Sequence, residues 1–160
     1  MPWQTGDKVC ALLTGGGYAE TVVCPATHVL PIPHGYSFAE AAALPEVFAT
    51  AWLNIFMEGR AEPGETVLLH AGASGVGTAA IQLCVLKGNP CFVTVGDDSK
   101  LEFCKHLGAK GGCNRKTHDF SDSVKQWTDR KGFDIILDPV GGSYLQRNIR
   151  SLNTDGRLIN

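Results

Sequence analysis

One hundred and sixty residues, 44% hydrophobic and 19% charged, supply enough apolar side chain for a buried core and exclude an intrinsically disordered chain. A formal net charge of −2 gives no general attraction to phosphate backbones or anionic lipid, so neither nucleic acid nor a membrane surface is an expected partner. No apolar run approaches the roughly 18 residues that span a bilayer, and the opening Met1 to Asp7 is no cleavable signal, which makes the cytoplasm the expected location.

Up to about Pro33 the pattern predicts short strands of a barrel-like kind, Lys8 to Leu13, Tyr18 to Cys24 and His28 to Ile32, broken by Gly15-Gly16-Gly17. At Ser37 the texture changes: a carboxylate at Glu40 gives capping-box spacing, and the Ala-rich run to Leu44 favours helix until Pro45 interrupts it. Phe48, Ala51, Trp52, Ile55 and Phe56 then form a helical stripe, predicting a second helix over Val47 to Glu58. Strands and helices alternate from there. The strands are Thr66 to His70, Cys91 to Val95, Gly112 to Asn114, Phe133 to Leu137, and a fifth that begins at Arg157. Between them come helices over Val76 to Lys87, Ser99 to Leu107, Ser121 to Thr128 and Ser143 to Leu152. Strands separated by helical crossovers imply an α/β fold with a doubly wound parallel sheet.

The six cysteines, spaced 14, 60, 7, 13 and 9 residues apart, contain no Cys-x-x-Cys, and the five histidines show no metal-ligand spacing. No metal is expected, and the thiols are expected to be reduced.

Directly after the first buried strand comes Ala71-Gly72-Ala73-Ser74-Gly75-Val76-Gly77 and then a helix, the context a dinucleotide fingerprint requires. A tight turn needs residues without bulk, the first helix amides satisfy pyrophosphate oxygens, and Gly77 lets the helix lie close on the strand. Gly72 and Gly77 match the fingerprint; its middle glycine is replaced by Ser74, with Gly75 beside it. The second strand ends where the adenosine ribose should lie, with mixed signals. Asp97 and Asp98 favour NADH, whereas Gly96, Lys100 and, from the third strand's end, Arg115 favour the 2′-phosphate of NADPH. Asp138-Pro139-Val140-Gly141-Gly142 makes a second glycine turn at a carboxyl end of the sheet, offering Val140 and Gly141 as walls for a nicotinamide. His70 reads as a packed or capped core residue and Glu46 as a helix-start carboxylate, and no catalytic acid or base is evident.

Taken together, Gly64 to Gly72 running into Ser74-Gly75-Val76-Gly77, then Ala79 to Leu83, Leu107-Gly108-Ala109 and Asp138 to Gly142 resemble the zinc-independent, zeta-crystallin-like quinone oxidoreductase branch of the medium-chain dehydrogenases/reductases, near the quinone reductases induced by the tumour-suppressor response. Upstream, Gly6 to Val9, Gly15 to Glu20 and Ala42 to Pro45 extend the likeness to nearly the whole chain. The resemblance implies that residues 1–36 are part of a GroES-like catalytic domain and 37–160 a Rossmann domain with an incomplete sheet, so that the chain is truncated at both ends. It implies NADPH in the cleft, with NADH possible, and reduction of a quinone or related enone without zinc. For full-length members it implies a homodimer, leaving this chain's own state open. Carried over, Ser74, Gly75 and Val76 hold the pyrophosphate, Thr50 approaches the nicotinamide, Lys100 meets the 2′-phosphate and Val140 lines the nicotinamide. Two positions depart from the family pattern: Asp97-Asp98, where neutral residues are usual, and Arg115, where a tyrosine is common after Asn114. A second reading takes the same incompleteness to mean a catalytically impaired product that acts only as a nucleotide-binding or interaction module.

Overall fold

The computed structural model describes residues 3–160. It divides into two compact units, one up to Ala49 and one over Thr50–Asn160, with the division inside a helix, C-terminal to the change of texture at Ser37.

The first unit holds two three-residue strands, β1 (Val9–Ala11) and β2 (Val29–Pro31), paired antiparallel. The expected strand over Tyr18 to Cys24 is not formed: no neighbour pairs with that backbone, and the side chains of Tyr18, Val22 and Val23 are exposed. Helix α1 (Phe38–Ala42) begins with the expected capping box, the Ser37 hydroxyl accepting from the Glu40 amide while the Glu40 carboxylate accepts from the Ser37 amide at 2.8 Å. Helix α2 (Pro45–Trp52) starts on the proline that interrupts the sequence pattern, which suits a first helical turn where an amide would go unpaired. It continues as a π-helical turn over Leu53–Glu58.

The second unit is a five-stranded, wholly parallel sheet in the order β5-β4-β3-β6-β7. Its strands are β3 (Val67–Leu69), β4 (Cys91–Val95), β5 (Gly111–Asn114), β6 (Phe133–Leu137) and β7 (Leu152–Ile159). The helices are α3 (Gly75–Lys87), α4 (Asp98–His106), α5 (Val124–Trp127) and α6 (Leu145–Ser151). Continuous burial along β3 and β4 fits strands covered on both faces. One face carries a cluster of Leu68, Phe92, Phe120, Phe133 and Ile136, with Trp127 stacked on Phe92 at 5.2 Å between ring centroids. Because β4 and β6 lie on opposite sides of β3, the chain reverses its winding there, and the carboxyl ends beside β3 form the crevice where ligands bind in such sheets. Among the described residues no helix is long and apolar enough to cross a membrane.

Candidate functional site

The crevice is built from the turn after β3. The His70 amide donates to the Leu137 carbonyl of β6 and the Gly72 amide to the Thr94 carbonyl of β4, both at 3.0 Å, so the turn is tied to both neighbouring strands. Ala71 takes a left-handed conformation, φ +54°, a strain that a non-glycine residue accepts where its surroundings over-determine the backbone. A methyl group on Gly72 would meet the Val93 side chain at 2.6 Å, and one on Gly77 would lie 2.5 Å from the Gly72 carbonyl oxygen. Both glycines therefore work as the fingerprint requires: they let strand, turn and helix touch backbone to backbone.

Ser74, the departure from that fingerprint, is the N-cap of α3, its hydroxyl accepting from the Gly77 amide at 3.0 Å. The amides of Gly75 and Val76 precede the first intrahelical hydrogen bond, so they remain available at the positive end of a 13-residue helix. That is the donor set a pyrophosphate needs, and the close strand–turn–helix packing that Gly72 and Gly77 allow holds those amides at the crevice. The residues present fit a dinucleotide.

Two hollows, of about 280 and 340 Å³, flank this turn and share Ala71, Ser74 and Val140. Gly96, Lys100 and Arg115 line the first, on the side of β4 and β5. Thr50, Val76, Gly77 and Asp138 line the second, on the side of β6. Gly75 opens α3 between two lining residues, Ser74 and Val76. Gly72 and Asp97 line neither hollow. Asp97 instead caps α4, accepting from the Lys100 amide at 2.9 Å and the Ser99 hydroxyl at 2.7 Å, bonds that hold its carboxyl below the usual range. Its other oxygen stands 3.7 Å from the Lys100 ammonium. Asp98 accepts from the Asn114 side-chain amide at 3.2 Å. Both acids that argued for a ribose are thus engaged with their own neighbours, and no carboxylate lines the first hollow beside Lys100 and Arg115.

Around the second hollow lie His70, in the packed and capped core position that the sequence pattern expects, and Asn54, which that pattern does not single out. His70 is buried, bonded through its ring nitrogens to Thr94 Oγ1 at 2.9 Å and Asn148 Oδ1 at 2.8 Å. Burial, only partly offset by the bond to Asn148, pushes its pKa below the ordinary imidazole value. The Asn54 side chain donates to the Thr50 carbonyl at 2.8 Å, and both residues line this hollow. Among the described residues no three His, Cys, Asp or Glu converge into a donor set for a metal ion.

A model of zinc-binding dehydrogenases matches residues 75–160. Lovastatin diketide synthase of Aspergillus terreus is 39% identical over 157 residues, which are 96% of this chain and 6% of that protein. The crystal structure of CurK enoyl reductase has a TM-score of 0.92 at 36% identity, covering 99% of this chain and 47% of that one. The quinone oxidoreductase of Thermus thermophilus, solved also as a complex with NADPH, has a TM-score of 0.86 at 34% identity, covering 98% and 50%. This chain spans about half the length of both solved chains.

Proposed function

This chain belongs to the zinc-binding dehydrogenase family of medium-chain dehydrogenases/reductases, and from that premise we propose that it is the dinucleotide-binding part of an NADPH-dependent oxidoreductase that reduces a conjugated carbonyl substrate, an enone or a quinone. The observation that carries the cofactor is the first hollow, whose lining holds the two cations Lys100 and Arg115 beside Gly96, with the Asp97 carboxylate set outside it, 3.7 Å from the Lys100 ammonium. A 2′-phosphate there meets two cations, and the small Gly96 leaves open space beside it. Asp97 acts on this hollow indirectly, by fixing the backbone and ammonium of Lys100.

The amides of Gly75 and Val76 hold the pyrophosphate, and Thr50, Val76 and Val140 wall the nicotinamide end. Bound there, a dihydronicotinamide would supply a hydride to the electron-poor end of the conjugated system and be left oxidised, while the resulting oxyanion would take its proton from water, a chemistry common to enones and quinones. The protein's part is to align the ring and exclude water, since holding the reacting groups in orientation removes a large entropic part of the barrier. Among the described residues no three metal-ligating side chains meet, and the reaction proposed here is written without a metal step. The likeness to both an enoyl reductase and a quinone oxidoreductase supports the substrate class.

The test is titration of the chain with NADPH and NADH, followed by Lys100→Ala and Arg115→Ala. Each cation near a partly exposed phosphate contributes roughly 1 kcal/mol, a several-fold change in affinity. NADPH is expected to bind tighter, and each variant to lose several-fold for NADPH and little for NADH. Equal affinity for the two dinucleotides refutes the assignment.

A further inference from the structure

A row of four buried polar side chains, each from a different part of the sheet layer, runs from Thr94 at the first hollow to His70 and Asp138 at the second. Thr94 on β4, His70 after β3, Asn148 on α6 and Asp138 after β6 are all 2% exposed or less. His70 bonds Thr94 and Asn148 as described, and the Asn148 amide donates to Asp138 Oδ2 at 2.7 Å. The other Asp138 oxygen accepts from the amides of Val140 and Gly141, at 2.9 and 3.0 Å. Asp138 therefore receives three N–H donors and acts only as an acceptor. This fixes every other proton in the row: Asn148 gives its amino group to Asp138 and presents its carbonyl to His70, so the His70 proton sits on Nε2 and Nδ1 accepts from the Thr94 hydroxyl.

The far end of the row is the wall that both hollows share. Val140 is half-exposed in a glycine-flanked turn with Gly141 at φ +66°, and the Asp138 carboxylate and the strand bonds around it tie that turn down. Burial of His70 keeps the imidazole neutral, and Phe120 and Tyr144 pack edge-on against it, each 4.8 Å away between centroids. Helix α6 also turns Asn148 inward while leaving Leu145 and Ile149 half-exposed, the reverse of an ordinary amphipathic helix. That inversion places the relay at the expense of apolar burial.

We propose that His70 is a positioning residue for the nicotinamide end of this site: through Asn148 and Asp138 it holds the turn that carries the Val140 wall against the bound ring. The proposal rests on the dinucleotide reading above and adds to it a residue that acts without lying at the phosphate end.

The test uses the 160-residue chain with two probes, NADPH, which occupies both ends of the site, and 2′,5′-ADP, which carries only the adenosine phosphates. His70→Phe keeps a ring and loses both hydrogen bonds; it is expected to weaken NADPH by about tenfold or more and 2′,5′-ADP, whose hollow meets the row only at Thr94 and Val140, by clearly less. Hydrogen exchange at the Val140 and Gly141 amides, measured without cofactor, is expected to speed up in the same variant. His70→Gln, which keeps an N–H donor for Asn148, is expected to recover most of both losses. Equal weakening of the two probes, or unchanged exchange at Val140 and Gly141, overturns the proposal. Should His70→Phe not fold, exchange in the unaltered chain decides: protection at both amides supports the relay, and rates like those of free chain overturn it. An unaltered chain that binds neither probe refutes the dinucleotide reading, whereas exchange at the two amides still reports on the relay.

Discussion

Gly77, in the fingerprint, and Gly96, just after β4, each line one of the two hollows, yet a methyl group would be felt very differently at the two. At Gly77 the added carbon would lie 2.5 and 2.6 Å from the carbonyl oxygens of Gly72 and Ala71, backbone atoms that cannot rotate away, whereas at Gly96 nothing stands within 4 Å. Gly77→Ala is therefore expected to destabilise the fold by about 1–3 kcal/mol, the range for forcing extra volume into a packed site. Gly96→Ala should change it by less than about 0.5 kcal/mol, as is usual for open surface positions. Urea unfolding of both variants checks this, and equal midpoints would contradict it. Gly72 and Gly77 are legible in the sequence because a strand–turn–helix crossing leaves no room for side chains. The function of Ser74 is less so: the fingerprint marks it as a defect, and only the hydroxyl bond to the Gly77 amide explains it as a helix cap.

At the scale of elements, the sequence pattern locates β4 and β6 to the residue, because a run of apolar or β-branched residues bounded by turns, broken in β6 only by Asp134, admits few alternatives. It misses the first half of β7. Asn153-Thr154-Asp155-Gly156 carries turn chemistry, and Asp155 does take φ +60°, but the strand passes through it by a shift of register between Phe133 and Ile135. The inward face of α6 is equally hidden, since the positions of Leu145 and Ile149 argue for the opposite orientation. Beyond the shift, β7 is secured by Arg157. Its guanidinium donates to both Glu65 oxygens, at 2.8 and 2.7 Å, and to the Gly59 carbonyl at 2.8 Å, tying the edge strand to the segment that leads into β3. The bonds from Arg157 hold the Glu65 carboxyl below its ordinary value of 4.5. A carboxyl depressed on folding binds fewer protons folded than unfolded, so its contribution is complete above the ordinary value and is lost as pH falls through the depressed one. Stability should therefore drop below about pH 4.5, and Glu65→Gln should be less stable than the unaltered chain at pH 7, by a difference that shrinks as the pH falls below 4.5. Thermal melts of both across this range check it; a constant difference between them would remove Glu65 as the cause.

Across the whole molecule, burial is unevenly shared between the two units. Up to Ala49 the only buried apolar side chain other than Pro45 among the described residues is Ala41, while the central strands β3, β4 and β6 are buried almost throughout. The two paired strands of the first unit are three residues long each, and a two-stranded ribbon of that size is marginal in water without further packing. Its backbone hydrogen bonds should therefore break by local opening, whereas those of β3, flanked on both sides by parallel neighbours, should break only when the sheet unfolds. Native-state hydrogen exchange on the 160-residue chain separates the two cases. The amides of β1 and β2 are expected to open at a free energy at least about 2 kcal/mol below that of β3, and to show little dependence on added urea because little surface is exposed in the opening. Protection in β1 and β2 that equals that of β3 and shares its urea dependence would mean that the two units unfold as one.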